Sequence, residues 1–532
     1  MQNQNDLAAN SPTTTAIIQN FGLLENHRTI SNLRRTELIN SGTLTSDFNV
    51  DNQGTISNEQ AGIFTNTGLI NNGLTGNIVN RGSLDNGIGG TLTNDGNFLN
   101  ELGGTLTNSG SITADTLVNN GQSDFLSGGN VMIKTQFDNN NGGLIKNSAA
   151  FNIGGSIGNT LFQGMLSNKA GGQIDNSGTL NIGTALATSN NSALANDGLL
   201  NNLVGGNIIN AGQFNNNAGG QIFNSGTFIN KPKGVSGVIN NAGIFNNQAN
   251  GTLSNDGPTA TINNLAGGQI INAGTISNQF IINDAGKINN LSGGVINNLN
   301  GGSLRVQTTG QLVNDGVINA LNFNNNGSVE ISSTGTVNGV SLASKYTQTA
   351  GNTVVNGSFS IGTVDIQAGT LTGNGTIQAT QVASNAINIG AATVVNPGNS
   401  TGSLTLVGDV NWSGMLQIDI ANMASYDLLK SLGTINFNPG SNVEFKFDSG
   451  FTVQDGQKLT FLDSTNLLGA NNLQYLALGL GTGITFDVTQ DLALGDLSLS
   501  FHVAAVPLPG AVWLFGSGLF SFICLKRRSK IA

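Results

Sequence analysis

Only two histidines and one cysteine stand in this chain of 532 residues, and their spacing keeps them from acting together. His27 and His502 lie near opposite ends, while Cys524 sits in an apolar stretch close to the C-terminus. Metal centres and nucleophile–base pairs need several such groups converging on one point, so neither histidine has the sequence neighbours for zinc or for an activated thiol. His27 with Arg28, Arg34 and Arg35 reads as an exposed polar cluster. Cys524 has no partner for an internal disulfide and reads as a small apolar filler. The acids recur in one local setting: Asn94-Asp95-Gly96, Asn196-Asp197-Gly198, Asn255-Asp256-Gly257 and Asn314-Asp315-Gly316. Asn, Asp and Gly stabilise tight turns, so the recurrence marks turns, not paired carboxylates. The glycine pairs lack the following aspartate of calcium-binding nonapeptides. No Gly-Lys-Ser/Thr completes a phosphate loop. No catalytic residue, metal ligand or cofactor is expected, and the chain reads as a non-enzyme.

Composition narrows the class further. Charged residues make up 9% of the chain, against about 25% in ordinary soluble domains. The net charge is −10 with no basic patch, which excludes a nucleic-acid partner. Hydrophobic residues still form 38% and are spread evenly, so the chain has enough apolar surface to fold.

The even spread is a repeat. Its unit is Gly-x-Φ-x-Asn, where Φ is a large apolar residue, and Φ falls at Ile56, Phe64, Ile70, Ile78, Leu84, Leu92, Phe98, Leu106 and Ile112. The steps alternate between 8 and 6 residues. Two residues after nearly every Φ, all but Ile112, come Asn58, Asn66, Asn72, Asn80, Asn86, Asn94, Asn100 and Asn108. Neither step suits an amphipathic helix, and frequent glycine disfavours one by about 1 kcal/mol each. Short strands separated by Gly and Asn turns fit, and stacking them in parallel gives an elongated all-β solenoid (a β-helix). Each coil then buries its Φ against the next, and equivalent asparagines stack as a structural ladder of amides. The alternation favours a flattened, two-sided coil of 14 residues, in which an enlarged corner recurs on one edge. A three-sided coil of the same units would alternate between 20 and 22 residues.

The regular repeats run over residues 20–325, after a leader at 1–19. Phasing then degrades, giving irregular closing coils over 326–425 and a β-rich cap over 426–502. Gly369-Thr-Leu-Thr-Gly-Asn-Gly-Thr-Ile377 and the segment Val395–Leu406 resemble the closing coils of autotransporter and haemagglutinin-like passengers. Tyr426-Asp-Leu-Leu429 and Gly450–Phe461 resemble the segment that ends such passengers, which implies a cap over the last coil. A cap is also required physically, since an open terminal coil exposes an unpaired strand edge.

The sorting tail occupies 503–532. Val506, Pro507, Leu508 and Pro509 are followed by the apolar, uncharged run Ala511–Leu525, then by Lys526, Arg527 and Arg528. That order resembles the PEP-CTERM sorting signals of Gram-negative bacteria, in their VPLPA-CTERM variant. Gly510 stands where that family has alanine, and Phe520-Ser521-Phe522 replaces a Leu-Gly-Leu run. The apolar run would form a single transmembrane helix stopped by the basic residues, whose end stays cytoplasmic. The resemblance implies an exosortase-type processing enzyme as partner, with membrane anchoring before cleavage near the proline motif. The first ten residues have neither a basic n-region nor an apolar h-region, so the leader is expected to be truncated, its true N-terminus missing.

These readings converge on a secreted or surface-displayed structural protein of a biofilm matrix, extracellular in a Gram-negative bacterium, with exopolysaccharide as its partner. The alternative is an adhesin for a specific cell-surface or glycan receptor. Its candidate contact region is the irregular stretch from Asn119 to Phe162.

Overall fold

In the computed structural model, residues 16–157, 160–183, 191–232, 237–382, 385–491, 495–504 and 514–521 are described, together with the backbone pairing of 2–3 and 7–8. The chain winds into a parallel β-solenoid of about 18 turns with almost no helix. Strands of the repeat are four residues long, as in Thr91–Asn94 and Thr105–Asn108, and each follows the same alternation. Φ and the final Asn point inward and are fully buried, while the two residues beside Φ face out. This is the period-2 logic of a strand applied four residues at a time.

The coil has three sides, not two. Ile63–Asn66 pairs with Ser83–Asn86, so Phe64 lies beside Leu84 at an offset of 20 residues. Leu69–Asn72 pairs with Thr91–Asn94, placing Ile70 beside Leu92 at an offset of 22. The expected 14-residue coil is therefore wrong, and the corners explain why. Gly73-Leu74-Thr75-Gly76 is a four-residue corner that closes on itself, the Gly76 N–H donating to the Gly73 carbonyl at 2.7 Å. The two-residue corner stacked on it, Asp95-Gly96, meets that corner at its feet. The Asp95 N–H donates to the Asn72 carbonyl at 2.8 Å, and the Asn97 N–H to the Gly76 carbonyl at 3.0 Å. The two additional residues bulge outward without moving either foot. Long and short corners therefore share one edge, and the alternation places no demand on the number of sides.

Glycine serves these corners for two separate reasons. In long corners it holds a positive φ, as at Gly103 (88°), where space around it is open. In short corners there is no room for a side chain: a Cβ on Gly110 would press on the Gly87 carbonyl at 2.6 Å and the Asn86 amide at 3.0 Å.

Inward-facing aromatic residues gather locally within the core. Phe125, Phe137 and Phe151 pack edge-on at 5.1–6.5 Å, and Phe214, Phe228 and Phe245 form a second group at 4.9 and 5.5 Å. Toward the C-terminal end the pairing changes. Asp496–Val503 runs antiparallel to both Lys458–Leu468 and Ile484–Asp491, and Phe445, Phe461 and Phe486 fill the space beneath.

In the tail, residues 514–521 are helical, with Leu514, Phe515, Leu519 and Phe520 exposed. Among the described residues, no helix is long and apolar enough to cross a membrane. Val506, Pro507, Leu508, Pro509, Lys526, Arg527 and Arg528 lie outside the described residues.

Candidate functional site

The polar interior consists of amide columns, one inside each corner. The first begins at Asn20 and runs through Asn40, Asn58, Asn80, Asn100, Asn119, Asn139, Asn168, Asn196, Asn216, Asn241 and Asn264 to Asp284. Each Nδ2 donates to the Oδ1 of the next member, and the 12 bonds measure 2.7–2.8 Å. The second column includes Asn66, Asn86 and Asn108, bonded at 2.7 and 2.8 Å. The third includes Asn32, Asn52, Asn72 and Asn94, bonded at 2.5–2.6 Å. The eight asparagines singled out by spacing are thus divided among three columns. The second hydrogen of each Nδ2 goes to corner backbone, as from Asn80 to the Thr105 carbonyl at 2.9 Å. One short side chain therefore fastens its own corner and the coil above it.

The outward faces carry a second kind of row that spacing alone did not reveal. Asn240 donates to Asn215, Asn263 to Asn240 and Asn283 to Asn263, at 2.9, 2.9 and 3.0 Å. These amides are half exposed, and their bonds point toward the N-terminus, opposite to the interior columns. The doubled asparagines Asn215-Asn216, Asn240-Asn241 and Asn263-Asn264 are the sequence signal for them: one amide turns in and the other out. Adjacent rungs are about 4.8 Å apart, the spacing of paired strands.

Charged side chains along the corners mostly neutralise one another from coil to coil. Arg81 lies between Glu59 and Glu101, with Nε–Oε2 of Glu101 at 2.8 Å and Nη1–Oε1 of Glu59 at 3.2 Å. Lys134 Nζ is 2.7 Å from both Asp95 and Asp115 and 5.6 Å from the centre of the Phe162 ring. Burial alone would lower the Lys134 ammonium, but the bonds to Asp115 and Asp95 outweigh it and hold the pKa above the usual lysine value. The Arg81 bridge is well exposed, so Arg81→Ala is expected to cost no more than about 1 kcal/mol and to lose even that in high salt. Thermal unfolding at two ionic strengths checks this.

Alternating corner lengths leave notches where a short corner lies between long ones. One of them, about 1080 Å³, is lined by Asn140, Asn141, Lys169, Gln173, Asp197 and Gln221. It is wide and open, with no converging catalytic set. Among the described residues His27 meets Asp47 at 2.8 Å, and His502 meets Asp487 and Asp455 at 3.0 and 4.0 Å, all exposed. Among the described residues no group of histidines, cysteines or acids could hold a metal ion. Asp427 is the most enclosed acid near the C-terminal end, where burial pushes its carboxyl up to about 7. It accepts the Gly402 and Asp419 N–H groups at 2.9 Å each, which fixes the chain between coils.

The stretch from Asn119 to Phe162 continues the regular coils with one departure. Gly155–Ile157 and Thr160–Phe162 form a separate antiparallel hairpin, with Ile157 and Leu161 each about half exposed.

The fold class is a three-sided parallel β-solenoid. No family model matches the chain, and no curated protein matches it in sequence. Among solved structures, a TibC-catalysed hyper-glycosylated TibA fragment aligns at 14% identity, over 69% of this chain and 96% of that one. The TM-score is 0.25, and the assignment of fold rests on the strand register, not on this alignment.

Proposed function

We propose that the chain is a structural rod of a bacterial extracellular matrix, displayed at the surface or released, which holds polysaccharide by weak contacts repeated along its length. The observation that carries this reading is the outer amide row from Asn215 to Asn283, set on long faces nearly free of charge. Half-exposed amides at fixed spacing present donors and acceptors to a neutral hydroxyl-rich chain, and avidity then grows with the number of coils engaged. The rod needs no catalytic group or cofactor. The full chain is expected to pellet with the producer's exopolysaccharide and to be found outside the cell. Failure of both overturns the reading.

The tail supplies the route. In this proposal an exosortase-type enzyme recognises Val506 to Pro509 while residues 511–525 hold the chain in the membrane and Lys526, Arg527 and Arg528 stop transfer. Protein recovered from the cell exterior should have an intact mass ending near the proline motif. A mass that still includes Arg528 contradicts cleavage there.

A second reading, a receptor adhesin, is favoured only by the hairpin of residues 155–162, whose exposed apolar side chains project from otherwise regular coils. Deleting those residues would abolish binding by an adhesin and leave a matrix rod's pelleting unchanged.

A further inference from the structure

Asp284 occupies a place where every lower member of its column is asparagine. Its Oδ1 accepts from Asn264 Nδ2 at 2.7 Å and from the Gly286 N–H at 3.2 Å. Its Oδ2 is buried and has no hydrogen-bond partner among the described residues. Above it the column stops, because the next residue in register is Val306.

Other columns also stop beneath an apolar residue, and their top asparagines show what the position requires. Asn94, under Ala114, donates from Nδ2 to the Thr116 carbonyl at 2.7 Å. Asn108, under Phe125, donates to the Asn130 carbonyl at 3.3 Å. Asn298, under Ala320, and Asn314, under Ile331, donate to the Asn322 and Thr336 carbonyls at 2.7 and 3.0 Å. In each case the acceptor is the residue one coil above the start of the following strand. For Asp284 that strand begins at Lys287, whose partner above is Gln311. An acceptor oxygen thus stands where the fold calls for a donor.

We infer that Asp284 is a proton-dependent latch: as the neutral acid it donates its O–H to the Gln311 carbonyl and fastens the coils above, and as the carboxylate it releases them. Burial favours the neutral acid and pushes the group up to about 7, against the opposing interactions of the Asn264 amide and the Gly286 and Gln311 backbone. The charged groups on the packed elements are Lys287 on the following strand and Arg305 on the strand above. Both occupy outward positions, and Arg305 Nε is engaged by Ser303 Oγ at 3.0 Å. The strands Thr261–Asn264, Thr275–Asn278 and Gln311–Asn314 contribute no charged side chain.

The sign follows from the raised value. Below about pH 4 the acid is neutral folded or unfolded, and its contribution is fully present. Between about 4 and 7 only the unfolded chain ionises, so stability declines, and above 7 the contribution is gone. Hydrogen exchange of the full chain between pH 5.5 and 8.5, corrected for intrinsic exchange, reads this at the Gln307 and Gln311 amides, which bond to the Asp284 and Gly286 carbonyls. In the wild type their opening should rise about tenfold or more across that range. In the near-isosteric Asp284→Asn it should stay constant within about twofold, because Nδ2 donates at every pH. An equal pH response in both proteins overturns the proposal. So does a wild-type response as large at the distant Lys169 and Asp197 amides as at Gln307 and Gln311.

Discussion

Replacing Gly226 by alanine is expected to unstack the coils on either side of it, whereas the same change at Gly205 is expected to be tolerated. The two glycines sit on one edge in successive coils, Gly205 in the long corner after Asn202 and Gly226 in the short corner after Asn224. Gly205 has φ of 85° and open space around it. A methyl group there costs only the left-handed penalty, about 1–2 kcal/mol. At Gly226 the methyl group would meet the Leu203 carbonyl at 2.5 Å and Asn202 Nδ2 at 2.9 Å, with the Gly206 carbonyl closer still. Those atoms are backbone or column amide, and both are fixed by the coil below. Relief requires lengthening the Ser225–Asn202 and Thr227–Gly206 backbone bonds, now 2.8 and 2.9 Å. The expected cost is at least about 3 kcal/mol, toward the upper end for overpacked interiors. Site-resolved hydrogen exchange is the suitable measure, since a repeat protein opens locally and a single melting temperature averages over its coils. Equal protection losses in the two variants would mean that close approach does not set the short corner.

The second large effect is expected from a column amide. Asn196 accepts from Asn168 Nδ2 at 2.7 Å and donates to Asn216 Oδ1 at 2.8 Å and to the Gln221 carbonyl at 3.2 Å. Truncation to alanine leaves an amide above and an amide below each short of a partner, with no water access. At about 1–3 kcal/mol for each stranded buried group, Asn196→Ala should cost about 3–5 kcal/mol. Asn196→Asp at neutral pH should cost more, because it removes both donors and buries a charge. The outward Asn215 provides the control. It joins a similar chain of amides but is half exposed, so Asn215→Ala should change stability by less than about 0.5 kcal/mol. Local opening free energies at Asp197 and Asn217 decide between these values.

The contrast between Asn196 and Asn215 also shows how far the sequence could be read. Strand positions, Φ residues and the asparagines two places later were legible because every four-residue strand buries the same two positions. The number of sides was not, because the closure of corners such as Gly73–Gly76 is local and hides the extra residues from the stack. The two uses of glycine look identical as letters, and only the coil below distinguishes Gly205 from Gly226. Outer amides were visible as doubled asparagines, yet doubling acquires meaning only once one member is known to face in. Asp284 likewise reads as one more turn acid beside Gly286 until register places it in a column of amides.

Three-sided stacking underlies every one of these expectations, and a pair of cysteines tests it directly. Thr65 and Asp85 face outward on adjacent strands in register, 20 residues apart. Their Cα atoms should therefore lie within disulfide range, about 4.4–6.8 Å. In a background of Cys524→Ser, the variant Thr65→Cys/Asp85→Cys should form an intramolecular disulfide on mild oxidation, detected by peptide mass mapping. The variant Thr65→Cys/Val79→Cys should remain reduced, because Val79 lies on another side of the coil, on the strand that pairs with Thr55–Asn58. A disulfide between positions 65 and 79, with none between 65 and 85, would contradict the three-sided coil.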